Sequence, residues 1–279
     1  MLTLEMTSDE LKAVEYNEEA IKNILVSRAI YNESYNYEFN EKEAEEIKYL
    51  EKNEIIRLYM HKTVEPRVIV TENSIIDRYN KDKAYFDNQN IPFTKAHEII
   101  KSQLNAEVNY GLEQDLVTNL VHNMADTVTL KKEDIIFSKG DPELIKTMVL
   151  FELLTIEANK IDFFNKYAKD IDILKKEVRI KYYVNHICSK DIKITEEQVS
   201  KFYVDHTNDF SGVDIQVAYN NIASYLFQQE MDKRTNEYIL SISEKYHLDE
   251  EVKKYKKDDK DVVNSVSYTH LTLPTTPYV

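Results

Sequence analysis

The sequence repeats itself. Displaced by 124 residues, it aligns on itself without a gap, Glu19–Phe86 falling on Glu143–Phe210. Identical pairs run the whole way: Ile21/Ile145, Glu33/Glu157, Phe39/Phe163, Ala44/Ala168, Ile47/Ile171, Leu50/Leu174, Ile56/Ile180, Tyr59/Tyr183, Thr71/Thr195, Tyr79/Tyr203 and Phe86/Phe210. A chain carrying one pattern twice is expected to build one kind of unit twice, which limits the fold more than composition does. Helix-start signals recur as well. Asn17 falls on Asp141, with Pro142 next at the first helical position, and Thr71 falls on Thr195, which opens the capping box Thr195-Glu-Glu-Gln198. Ala96-Ile100-Leu104 matches Ala218-Ile222-Leu226 after a small deletion, and upstream Thr3-Leu4 resembles Thr129-Leu130.

Each copy reads as the same series of elements. A short extended piece (Leu2–Leu4, Val128–Leu130) precedes a short helix. A longer helix follows, with Ile21, Ile24, Leu25 and Ala29, or Ile145, Val149 and Leu153, at helical spacing on its apolar face. The pattern then predicts a third helix over Glu41–Lys62 and Asn165–Ile187, and an extended stretch at Arg67–Val70 and Asp191–Ile194. A Thr-capped helix ends at Phe86 or Phe210, and a long helix carries Ala96, Ile100, Leu104, Val108, Leu112, Leu116 and Leu120. The expected fold is all-α: two similar multi-helical modules, 1–127 and 128–264, with only very short extended segments. Residues 265–279, SVSYTHLTLPTTPYV, fit nothing before them and resemble translated adaptor sequence, so they are set apart as a non-native tail.

Several chemistries are excluded early. Three glycines in the whole chain leave no room for a Rossmann fingerprint or a P-loop. A net charge of −14 argues against nucleic acid and against anionic membrane surfaces. No apolar run is long enough for a transmembrane segment. Among the histidines no zinc-type spacing occurs, and no glycine-flanked serine forms a nucleophile elbow, so no catalytic residue, metal or cofactor is expected. His61, His186 and His206 exchange for polar residues between copies, which reads as solvated surface. The run Glu41, Glu43, Glu45 and Glu46 reads as a solvated helix face, and Cys188 as a small buried hydrophobe. Tyr59/Tyr183, Tyr79/Tyr203 and Phe86/Phe210 read as core anchors.

The stretch Asn23–Glu33 (NILVSRAIYNE), and above all Arg67–Phe86 (RVIVTENSIIDRYNKDKAYF) with its partner Asp191–Phe210 (DIKITEEQVSKFYVDHTNDF), resembles the chaperone module of the SurA/PrsA/PpiC-type peptidyl-prolyl isomerases. The two copies together cover nearly all of residues 2–248. In that family the parvulin domain is inserted just after this Phe. Here only Asp87–Phe93 or Ser211–Asp214 separates it from the long helix, so the catalytic insert is missing.

The resemblance therefore implies an ATP-independent folding factor of the periplasm or cell envelope, acting on unfolded or nascent secreted and outer-membrane polypeptides. Two alternatives stay open: a family isomerase with lost or residual activity, and a structural helical envelope protein. No leader opens the chain. The abrupt start of the first copy is what a truncated 5′ end would leave, so this says little about compartment. A client-binding groove needs exposed aromatic area, and positions aromatic in one copy but polar in the other are freer to supply it. That selects Tyr31 (opposite Thr155), Tyr35 (opposite Asn159), Tyr85 (opposite Asp209) and Phe164 (opposite Asn40) as peptide-binding candidates. The surrounding acidic surplus would favour clients bearing Lys or Arg.

Overall fold

The computed structural model describes residues 2–124 and 128–255. Among these the chain is all-α, with no strand. The helices are α1 (Ser8–Ala13), α2 (Glu18–Asn36), α3 (Glu41–Val64), α4 (Glu72–Asn88), α5 (Phe93–Met124), α6 (Lys132–Ser138), α7 (Pro142–Lys160), α8 (Phe163–Lys166), α9 (Ala168–Ser189), α10 (Glu196–Asp205), α11 (Ile215–Lys245) and α12 (Leu248–Lys253). The adaptor-like tail, 265–279, lies outside the described residues, as do residues 125–127 of the junction expected around 125–132.

Local chemistry sets where these helices begin. The Asn17 side chain accepts from the Ala20 N–H at 2.9 Å, and Asp141 accepts from Glu143 and Leu144 at 2.9 and 3.1 Å. Thr71 accepts from the Ser74 N–H at 3.2 Å and Thr195 from that of Gln198 at 3.3 Å. Each bond satisfies a donor that the first helical turn leaves unpaired. The helix bounds recur with the repeat: α2 and α7 are 19 residues each, and α5 and α11 are 32 and 31.

Three elements differ from the sequence expectation. The helix expected over Asn165–Ile187 is broken into α8 and α9. The break falls at Tyr167 (φ −112°, ψ 24°), whose backbone N–H closes α8 on the carbonyls of Phe163 and Asn165. The second Thr-capped helix stops at Asp205 and passes into a 3-10 turn, Thr207–Phe210. There the Thr207 hydroxyl donates back to the carbonyls of Tyr203 and Val204. Arg67 belongs to a 3-10 turn, Glu65–Arg67, started by Pro66, and Asp191 lies in a turn in the left-handed region (φ 62°), so the two extended stretches shrink to Val68–Val70 and Ile192–Ile194.

The helices form two compact units. The first combines Met1–Glu43 with Lys176–Val279, and the second is Ala44–Lys175. In the first, Leu11, Ile21, Leu25, Ala29 and Ile30 of α1 and α2 share a core with Tyr183 of α9, Ile242 of α11 and Leu248 and Val252 of α12. In the second, Phe151, Leu154 and Ala158 of α7 share a core with Ile55, Ile56 and Tyr59 of α3 and Leu120 of α5. A smaller cluster joins Ile75 and Phe86 of α4 to Ala96 and Ile100 of α5.

These units cut across the repeat halves 1–127 and 128–264. Within the first unit, α2 of the first copy is buried by helices of the second copy. Within the second unit, α7 of the second copy is buried by helices of the first. The apolar faces allow this because corresponding positions carry the same residues, Ile21/Ile145, Ile56/Ile180 and Tyr59/Tyr183 among them.

Candidate functional site

The four aromatic candidates separate into different settings. Tyr31 and Tyr35 lie one turn apart on α2, with ring centroids 6.3 Å apart, and Tyr35 is 58% exposed. Tyr85 is 61% exposed on α4, edge-on to buried Phe86 at 5.3 Å. Phe164 is half-buried and packs against the α3–α7 core beside Phe163, so it is partly a core residue. Tyr31 and Tyr35 are therefore the pair the first unit brings together. Tyr85, exposed beside Phe86 of the α4–α5 cluster, and Phe164, packed on the α3–α7 core, lie in separate parts of the second unit.

Around Tyr31 and Tyr35 the first unit builds an aromatic face. At the end of α2 the chain turns extended at Tyr37 and returns through Phe39 into α3. Phe39 meets Tyr182 of α9 at 5.6 Å, and Tyr37 meets Tyr183 at 5.5 Å, both edge-on. Arg179 of α9 lies between, its guanidinium carbon 5.1 Å from the Phe39 ring centroid and 5.9 Å from that of Tyr35. Its Nη2 donates to the Ser34 carbonyl at 2.7 Å, close to the C-terminal end of α2.

His186 completes this face, contrary to the solvated surface read from the sequence. It lies 2.9 Å from the Tyr37 hydroxyl through Nε2 and 3.5 Å from the Glu43 carboxylate through Nδ1. A proton on Nδ1 would face Glu43 and leave Nε2 to accept from Tyr37. Glu43 is consequently half-buried, where the sequence suggested a solvated acidic run.

The face is braced from behind. Glu33 accepts from Lys245 at 2.6 Å and from the Tyr246 hydroxyl, tying α2 to the end of α11. Burial works against the Glu33 carboxylate, but these two hydrogen bonds outweigh it and hold its pKa below the ordinary value. The same bond to Glu33 pushes the Tyr246 phenol up to about 12. Tyr238 and Tyr183, hydroxyls 3.5 Å apart, are both held neutral first by burial. Cys188 is buried, and desolvation raises its thiol pKa, so the thiolate needed for reactivity is disfavoured.

The first unit also has an open groove of about 720 Å³ between the Asp191–Ile194 connection and α11. Its lining mixes Ile192, Ile194 and Leu226 with Lys193, Glu230 and Arg234. Arg234 closes one side by donating to the Lys190 carbonyl at 2.6 Å.

Sequence reasoning found Tyr31 and Tyr35 but not Phe39, Arg179, Tyr182 or His186. The missed signal was available: Arg179 stands opposite Ile55 and Tyr37 opposite Ile161, so an apolar position in one copy has become charged or amphipathic in the other. Among the described residues no helix is long and apolar enough to cross a membrane. Comparison of the chain with family models, curated proteins and solved structures returned no match.

Proposed function

We propose that this chain is a folding factor that holds non-native polypeptide segments without ATP, acting outside the cytoplasm on unfolded or nascent secreted and outer-membrane proteins. The observation carrying this reading is the Tyr31–Tyr35 pair, one turn apart on α2 with Tyr35 58% exposed, on a face continued by Phe39 and Tyr182. Tyrosine suits such a task, because each ring offers apolar area and a hydroxyl that bonds to exposed backbone. The resemblance of Arg67–Phe86 and Asp191–Phe210 to the SurA/PrsA/PpiC-type chaperone module points the same way, and it alone supplies the compartment and the client class. The net charge of −14 favours clients carrying Lys or Arg, an attraction that weakens as salt rises.

Aggregation of a chemically unfolded client, followed by light scattering, tests this. The full chain is expected to suppress scattering. The double variant Tyr31→Ser/Tyr35→Ser is expected to lose most of that suppression, with a stability change of about 1 kcal/mol or less for partly exposed side chains. Undiminished suppression by the double variant would remove the aromatic face from the reading. No suppression by the unaltered chain would remove the reading itself. A proline-isomerisation assay is expected to show no turnover, and measurable turnover would favour the isomerase alternative.

A further inference from the structure

Arg179 occupies a place where the other copy uses hydrocarbon. The residue 124 positions earlier is Ile55, 9% exposed in the core shared by α3 and α7. One turn on, Tyr59/Tyr183 is identical in the two copies, whereas Tyr182 and His186 stand opposite Leu58 and Lys62, so the exchange belongs to a face whose aromatic and charged character is particular to this copy.

The guanidinium is held but not neutralised. Nη2 is spent on the Ser34 carbonyl, and the Tyr35 and Phe39 rings flank the group. Nε is buried and meets no acceptor. Among the described residues no carboxylate lies within ion-pair distance of Arg179, in a chain with 50 acidic against 36 basic side chains. A partly desolvated cation without a counter-ion opposes folding, and isoleucine would pack this position without that cost. Capping the end of α2 uses one of five donors and does not require the rest. A planar, ring-flanked guanidinium with donors to spare matches a carboxylate, which it binds through two parallel N–H bonds.

We propose that Arg179, with Tyr35 and Phe39, receives a carboxylate of a bound peptide. The rings take the apolar side chain beside that carboxylate, and Tyr31 extends the contact along α2. This rests on the peptide-holding reading above and names the chemistry of one of its contacts.

The test uses the full chain and three dye-labelled peptides built from alanine and serine. One ends in phenylalanine with a free carboxylate, one is its C-terminal amide, and one is an amide with an internal Glu-Phe pair. Fluorescence anisotropy is expected to show the free acid binding about tenfold tighter than the amide. Arg179→Ile, which installs the residue of the other copy, is expected to abolish the preference for the acid, the two peptides then binding alike. Tight binding of the internal Glu-Phe peptide extends the site to side-chain carboxylates, and weak binding restricts it to the chain end. Either result supports a carboxylate receptor.

Equal affinity for acid and amide overturns the proposal, as does an acid preference that survives Arg179→Ile. Equal affinities on the unaltered chain overturn the proposal even where Arg179→Ile fails to fold, and Arg179→Gln then tests whether an acid preference belongs to this residue. Equal affinities combined with suppressed aggregation sink this inference alone. Absent suppression sinks the holding reading, whatever the peptides do.

Discussion

Glu33 shows how one side chain can join two distant stretches of sequence. Its carboxylate carries hydrogen bonds from Lys245 and Tyr246, and its pKa lies below the ordinary 4.5 in consequence. A carboxyl whose folded pKa is depressed stabilises the fold above its unfolded pKa, and that contribution is lost as pH falls through the folded value. Glu33→Gln is therefore expected to cost about 1 kcal/mol at neutral pH, the lower end for a charge-assisted bond because Lys245 is largely solvated. Urea midpoints of the two chains should converge as the pH drops below 4.5. A constant gap across that range would mean that packing, not charge, carries the effect. At this scale the sequence is a partial guide where both copies agree: of the six anchors read from repetition, Tyr59, Tyr183 and Phe86 are buried, while Tyr79, Tyr203 and Phe210 are half-buried. It misleads where they disagree. His186 looks like surface because its counterpart is Lys62, yet it packs against the rings of Tyr37 and Phe39, supplied from far away in the chain.

Caps account for most of what can be read of the helices. Thr71 and Thr195 start α4 and α10 with the same side-chain bond, yet α4 runs 17 residues and α10 only ten. Losing such a cap costs about 1 kcal/mol, and a short helix has fewer inner bonds to resist fraying. Thr195→Ala is expected to speed amide exchange at Gln198 and Val199 about fivefold, while α4 amides keep their rates. Unchanged exchange would show that the capping box is redundant there. Starts are legible because they depend on residues within one turn. The early stop at Asp205 and the break before Ala168 are less so, since they go with local bonds of Thr207 and Tyr167 that a hydrophobic period does not register.

The division into compact units is the part least visible in the sequence. Apolar positions that match between the two halves of the sequence mark which residues to bury, but not which helices bury them. Leu25, fully buried on α2, discriminates. Leu25→Ala is expected to cost about 2–5 kcal/mol, and hydrogen exchange should rise in α9, α11 and α12 while α3, α4 and α5 keep their protection. Faster exchange in α3 and α5 instead would assign α2 to its own copy. The same arrangement governs the order of events during synthesis. Residues 44–175 emerge in one uninterrupted stretch and can close their core at once. The apolar side of α2 has no lasting cover until Leu248 and Val252 have been made. At about 5–20 residues per second, that leaves α1 and α2 waiting at the ribosome for roughly 10–40 s after they appear. A protein proposed to shelter other nascent chains thus begins life with its own first helices in need of shelter.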